Sequence, residues 1–319
     1  MKILAIRLAR FGDIVLLLRA FGFLKAQLPQ SHLTFLTDNR WAPLGLMCPA
    51  IDGVVGIDRL GMRDGSLLNA IAGIRHVDKE LRSRHFDAAI DFHGFRETSL
   101  MAWWSGAPRR MGLRRFDQSY WNWCFNMPPV VEDKSIHVSE MFLRVAQGFV
   151  PATLPAGPDE SSLVIPAEAV EWRKANLPPA PYVALYVDAP VKDRVWPKER
   201  FEQVARHFDE KLGVSVVVLS TADRDWKSSN SIRALSGLSI PQLAAAIGSA
   251  RMLISNDTGP MHLGPALRIP TLGIFSVGFP EHFRPMGLDD VVVRGNPIEQ
   301  VETDEVIAAA NRLWLASAR

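Results

Sequence analysis

The sequence predicts an α/β protein of two domains, each an open parallel sheet covered by helices on both faces. Three observations carry that prediction. Short apolar runs alternate with helix-like stretches along most of the chain, the βαβα rhythm that builds parallel sheets. The 319 residues exceed what one hydrophobic core usually supports. Between Pro151 and Pro166 the rhythm stops, and Pro151, Pro155, Gly157 and Pro158 read as a linker. The division is therefore an N-terminal domain over 1–160 and a C-terminal domain over 161–319, with the terminal helix able to pack back on the first.

In the first domain Lys2–Arg7 reads as a strand, Ile14–Gln27 as a helix and Leu33–Thr37 as a second strand. Val54–Asp58 is a third strand and Leu67–Arg84 an amphipathic helix. Asp87–Asp91 is a buried strand, followed by a helix near Thr98–Trp104. After the linker the alternation restarts with the strand Tyr182–Val187 and the helix Pro197–Leu212, whose Pro197 suits a first turn. The strand Val214–Leu219, the short helix Ile240–Ile247 and the strand Met252–Ser255 come next. A helix over Met261–Leu267, a strong strand at Thr271–Phe275 and a closing helix at Thr303–Ala316 complete the pattern.

Hydrophobic residues make up 48% of the chain and charged residues 22%, as in an ordinary soluble globular protein. The 36 Lys and Arg against 34 Asp and Glu leave a net charge of +2, too little for bulk nucleic-acid binding. Local basic clusters at Arg109-Arg110, Arg114-Arg115 and Lys134 either face an anionic partner or membrane surface or are solvated faces. Two cysteines, Cys48 and Cys124, make neither a metal-ligand set nor a disulfide framework and fit a reducing cytoplasm. The apolar run Ile14–Leu18 is bounded by Arg10, Asp13 and Arg19, too short for an exported or spanning segment, so any membrane contact is peripheral.

Two such domains on one linker create a cleft, and ligands of open α/β sheets bind outside the carboxyl ends of the strands. The junction Asn256-Asp257-Thr258-Gly259-Pro260-Met261-His262 follows an apolar strand and opens a helix, a geometry in which backbone N–H groups and a helix dipole face a diphosphate. On spacing alone, a capped helix with His262 in the core is the commoner reading of such a stretch. Arg7…Gly12-Asp13 follows the first strand; Gly12 permits a sharp turn, and Asp13 is either a helix cap or a carboxylate able to take a proton from an acceptor hydroxyl. Lys192-Asp193-Arg194-Val195-Trp196-Pro197 places two cations at a strand end, where they either neutralise a leaving diphosphate or form a surface pair with Asp193. Trp196 packs the helix. Asp91-Phe92-His93-Gly94 and His137-Val138-Ser139-Glu140 look site-like, although a lone His is more often structural. No metal-ligand spacing, nucleophile elbow or P-loop occurs.

Taken together and in order, these stretches resemble glycosyltransferase family 9, the ADP-heptose:lipopolysaccharide heptosyltransferase family of GT-B enzymes. The resemblance rests on Arg7…Gly12-Asp13, Asp87–Gly94, Arg194-Val195-Trp196-Pro197 and Asn256–His262. It implies two Rossmann-like domains with parallel sheets facing an interdomain cleft. It implies that Asp13 is the catalytic base and that Asp257, Thr258, Gly259 and His262 hold the nucleotide diphosphate-sugar. Arg194 falls where the family places a phosphate-binding Lys, with Lys192 as a substitute; Leu238 falls where an apolar side chain packs on adenine, and Asp225 where an acid contacts ribose. Arg10, Gly12, His93, Arg96 and Arg115 fall to the acceptor, with the basic cluster at 109–115 on a helical rim. The chain departs from the family at Tyr186-Val187-Asp188-Ala189-Pro190, at Thr221-Ala222 and at Leu18-Arg19.

The implied reaction is an inverting, metal-independent transfer without a cofactor, from a nucleotide-sugar such as ADP-heptose to a phosphorylated or acidic saccharide of the lipopolysaccharide core or cell envelope. The implied place is the cytoplasm, peripherally on the inner face of the cytoplasmic membrane. Two rivals are a degenerate family member serving as a binding or assembly protein, and a sugar-nucleotide epimerase of the same build.

Overall fold

The computed structural model describes residues 1–317 apart from 9, 151–162, 227, 230 and 288. Most of the linker expected between Pro151 and Pro166 thus lies outside the described residues. The chain divides into two units, Met1–Ser162 and Leu163–Arg319.

The first unit carries strands β1 (Lys2–Ile6), β2 (His32–Asp38), β3 (Gly53–Ile57), β4 (Ala88–Asp91), β5 (Arg109–Arg114) and β6 (Val130–Val131) in the order β3-β2-β1-β4-β5-β6. All five pairings are parallel. Its helices are α1 (Phe11–Gln27), α2 (Ala42–Leu46), α3 (Arg59–Asp64), α4 (Leu67–Ser83), α5 (Arg96–Trp104) and α6 (Val138–Phe149). Strands β1 and β4 are buried along nearly their whole length, which is why they read as continuous apolar runs. Helix α1 is buried through most of its residues from Gly12 to Leu24 and has no polar face. Helix α6 instead has one apolar face, and its N-cap is His137, whose side chain accepts from Ser139 N. His137 is therefore structural.

The second unit repeats the plan. Strands β7 (Val183–Tyr186), β8 (Val216–Ser220), β9 (Ile232–Ser236), β10 (Met252–Asn256), β11 (Thr271–Phe275) and β12 (Val291–Arg294) lie in the order β12-β11-β10-β7-β8-β9. Again every pairing is parallel. Counted from its own first strand, this is the winding of the first sheet, the doubly wound nucleotide-binding order. The helices are α7 (Ala167–Asn176), α8 (Lys198–Arg206), α9 (Ile240–Gly248), α10 (Leu263–Ala266), α11 (Pro280–Phe283) and α12 (Thr303–Ala316). Val306, Ala309, Ala310 and Leu313 of α12 sit in this unit's core with Trp196, Phe201 and Phe208. No helix among the described residues is long and apolar enough to cross a membrane.

Three sequence expectations change. The basic residues at 109–114 lie on strand β5, not on a helical rim; Met111 and Leu113 point into the core while Arg109 and Arg114 stay exposed at its two ends. The helix expected over Pro197–Leu212 is continuous but is α-helical only to Arg206, where it widens into a π turn at His207–Lys211. The helix expected over Met261–Leu267 is a 3-10 turn at Gly259–His262 followed by the one-turn α10. Pro265 inside that stretch removes a backbone donor. A Cβ at Gly264 would collide with the Thr271 hydroxyl, so the turn is pressed against β11.

Candidate functional site

In both sheets the strand order reverses beside the first strand, between β1 and β4 and between β7 and β10. Ligands of open sheets bind at the carboxyl ends at that point. Those ends are where the polar motifs lie.

In the first unit Arg7 follows β1 and is 2% exposed. Its Nη1 donates to the Phe92 carbonyl at 2.5 Å, its Nη2 stands 3.1 Å from Asp13 Oδ2, and its guanidinium lies over the Phe142 ring at 4.4 Å. Burial lowers its pKa, and Asp13 works against that shift. Asp13 is not the cap of α1: the N-cap is Arg10, and Asp13 lies in the first turn with its carboxylate on Arg7. Gly12 likewise sits within that turn of helix rather than in a sharp bend before it. Arg10 is exposed.

Asp91 ends β4 fully buried. Oδ1 accepts from His93 N at 2.8 Å and Gly94 N at 3.2 Å, and Oδ2 accepts from Thr98 Oγ1 at 2.9 Å. Burial pushes this carboxyl up to about 6 despite those bonds and Arg7. His93 is also buried; Leu8 N donates to its Nδ1 at 3.1 Å, so the neutral ring carries its proton on Nε2. Burial and the cations Arg7, Arg115 and Arg59 drive its pKa down to about 2. Arg115 Nε donates to the His93 carbonyl at 2.9 Å, while Arg96 donates to Ser119 Oγ at the surface. Of the residues expected to meet an acceptor, His93 and Arg115 join Arg7 and Asp13 in one cluster; Arg10 and Arg96 are outward cations.

In the second unit Asn256, buried at the end of β10, accepts from Trp196 N at 3.1 Å and donates to the Val187 carbonyl at 2.8 Å. It ties the loop after β7 to the loop after β10. Trp196 packs edge-on against Phe201 and donates Nε1–H to Val301 O at 2.9 Å, so it is core. The next residue, Asp257, is 3% exposed, and its Oδ2 lies 3.0 Å from Arg194 Nη1. That contact is a charge pair off hydrogen-bond alignment: Asp257 Oδ2 and Arg194 Nε are both shielded from water and hold no hydrogen bond. Burial raises the Asp257 pKa, and Arg194 opposes it. Lys192 shares the 3-10 turn of Arg194, and Ser276 Oγ donates to the Asp193 carbonyl within it. Thr258 and Gly259 are half-buried beside Asp257, and His262 is buried.

Asp225 and Leu238 follow β8 and β9 instead. Asp225 is exposed with φ 52° and its carbonyl accepts from Lys198; Leu238 is half-buried before the capped start of α9. Among the described residues no hydrogen bond or ion pair joins either to Arg194 or Asp257. Asp188, within one of the stretches that depart from the family pattern, is neutralised: Arg224 Nε reaches Oδ1 at 2.8 Å, and Thr221 N donates to Oδ2 at 2.6 Å.

Comparison with known proteins decides the family. The model of glycosyltransferase family 9 (heptosyltransferase) matches residues 74–309, about three quarters of the chain. This chain belongs to glycosyltransferase family 9. Among curated relatives it is 21% identical to lipopolysaccharide heptosyltransferase 2 of Escherichia coli K12, over 92% of this chain and 88% of that protein. It is 20% identical to the lipopolysaccharide core heptosyltransferase OpsX of Haemophilus influenzae, over 90% and 82%. Among solved structures, the family 9 glycosyl transferase of Veillonella parvula superposes with a TM-score of 0.83 at 22% identity, covering 99% of this chain and 97% of that one. E. coli ADP-heptose lipopolysaccharide heptosyltransferase II gives 0.82 at 18%, covering all of both. The fold is thus the GT-B build of two Rossmann-like units, and the protein is a glycosyltransferase of the heptosyltransferase family of lipopolysaccharide core biosynthesis.

Within this family 9 chain the sequence reading took Asp91 and Asn256 only as members of site-like motifs and did not name Gly278. Asp91 had a signal, a lone acid ending an apolar strand. Asn256 was read as part of its motif but not as a clamp between loops. Gly278 had none, because its importance is the space it leaves beside Asp257.

Proposed function

We propose that this glycosyltransferase moves a heptose from ADP-heptose to a lipopolysaccharide-core or other cell-envelope saccharide, with inversion at the anomeric carbon. One observation carries the reading: Arg194 and Asp257 meet at the β7–β10 switch point with buried hydrogen-bonding capacity unspent. Buried polar groups seldom lack a hydrogen-bond partner, so capacity left open at a switch point is a place for a ligand or water to complete it. The neighbourhood suits a nucleoside diphosphate, with Arg194 and Lys192 as cations and Thr258 and Gly259 beside them. One structurally similar E. coli heptosyltransferase was solved with ADP, which supports adenine as the base, with Leu238 against it and Asp225 on the ribose.

The acceptor hydroxyl attacks the anomeric carbon as the bond to the diphosphate breaks, and the hydroxyl proton passes to Asp13. General-base assistance of this kind is worth about 10²–10⁴-fold. Arg7 fixes the orientation of Asp13 through the 3.1 Å contact. Arg194 and Lys192 take up the charge that builds on departing ADP, so no metal ion is needed and a chelator leaves the rate unchanged. Losing one such preorganised donor costs about 3–4 kcal/mol. Arg115 and the exposed Arg96 and Arg10 favour an acidic acceptor, and peripheral membrane contact would bring the chain to a lipid-linked one.

Two variants test this. Asp13→Ala keeps ADP affinity by calorimetry while turnover collapses; turnover near wild type removes Asp13 from the base role. Arg194→Ala weakens ADP binding, and unchanged affinity refutes the diphosphate assignment. ADP-, UDP- and GDP-sugars compared by thermal shift decide the donor. A donor isomerised without acceptor would favour an epimerase, and saturable binding with no transfer would favour a binding protein.

A further inference from the structure

Asp91 touches no surface, yet the groups around it lead to Asp13. Its Oδ1 gathers the His93 and Gly94 N–H groups and so shapes the loop after β4. That loop presents the Phe92 carbonyl to Arg7 Nη1, and Arg7 Nη2 meets Asp13 Oδ2. Asp91 also attracts the buried Arg7 charge directly, as Asp13 does. We propose that Asp91 is a positioning residue for the transfer: through the Phe92 carbonyl and through its own charge it fixes Arg7, and Arg7 fixes the carboxylate that takes the proton. This rests on the reading of Asp13 as the base.

The other ionisable groups near Asp91 are His93, neutral with its Nδ1 on Leu8 N, Arg115 on the His93 carbonyl, and Tyr120 and Cys124 from the segment after β5. Burial raises the pKa of both Tyr120 and Cys124, and Arg7 is the cation whose charge acts on Asp91. Thr98 Oγ1 lies near both Asp91 Oδ2 and the Phe95 carbonyl, with one hydrogen to give. An amide at position 91 can therefore donate to Thr98 Oγ1 while that hydroxyl turns to Phe95, which preserves the shape and deletes the charge.

Asp91→Asn is the decisive variant. Its melting temperature and ADP affinity stay near wild type while kcat falls about 10–100-fold, by analogy with the loss of a partner that orients a metal-ligating side chain. In an Asp13→Ala background the same substitution costs nothing further, because the two act as a unit. Unchanged kcat in Asp91→Asn overturns the inference, as does an equal fall in both backgrounds. Should Asp13→Ala itself retain turnover, the base reading fails and this one with it. A collapse in Asp13→Ala alone leaves the base standing and sinks only Asp91. If Asp91→Asn does not fold, Thr98→Val removes the hydroxyl from Oδ2 and moves the acidic limb of kcat to higher pH; an unmoved limb overturns the proposal.

Discussion

Adding a single methyl group at Gly278 tests the donor site without adding or removing any charge. Gly278 is buried in the loop after β11, and a Cβ there would fall well inside van der Waals contact with Asp257 Oδ2, 3.0 Å from its Cγ and 3.3 Å from Phe275 Cδ1. The carboxylate has little room to retreat, since it is buried and faces Arg194 at 3.0 Å. Overpacking of this kind costs about 1–3 kcal/mol. Part will appear as lost stability and the rest as lost affinity, at about 1.4 kcal/mol per tenfold. Calorimetry with ADP should show Gly278→Ala binding more weakly, by up to about a hundredfold if most of the cost falls on affinity. Gly213→Ala is the control in the same unit: its φ of 63° strains the backbone, but nothing lies within 4 Å of the added methyl. The control should lose stability and keep its affinity. If Gly278→Ala binds ADP like wild type, Asp257 does not sit against the ligand.

Two further outcomes follow from buried groups. Asp91 takes its proton near pH 6 in the folded chain and near the usual 3.8 when unfolded, so its contribution to stability grows as pH falls through that window. His93 acts oppositely: the unfolded chain protonates it near 6.5 and the folded chain only near 2, so stability is lost as pH drops below 6.5. Urea melts at pH 8 and 4.5 should therefore show wild type gaining about 2 kcal/mol relative to Asp91→Asn on acidification; a pH-independent difference would contradict the burial of an ionised Asp91. Trp196→Phe removes the indole bond to Val301 O and leaves a void in a fully buried site. It should cost about 1–3 kcal/mol, a melting-temperature drop of several degrees, and an unchanged melt would show that the indole does not anchor the loop.

The strands legible in the sequence are chiefly the central ones. β1, β2, β4, β7, β8, β10 and β11 are flanked by neighbours on both edges and stand out as apolar runs. β6, β9 and β12 lie at sheet edges with half-exposed residues, and their polar positions hide them. β5 escaped because four arginines within Arg109–Arg115 read as a charged patch, although Met111 and Leu113 carry the strand. The site was legible as loops but not as partnerships. That Asp13 faces Arg7, or that Arg224 cancels Asp188, depends on side chains that come together only when the strands line up. Local spacing does not encode such meetings.

That both sheets share one winding has an evolutionary reach. The Arg7–Asp13 pair lies wholly in residues preceding 163, and the Arg194–Asp257 pair wholly in those following it. With the donor and base roles proposed above, mutations that retune donor choice would fall in the distal segment and leave the proposed base untouched. Hybrids exchanging one segment between cousins would inherit donor preference and acceptor preference from different parents.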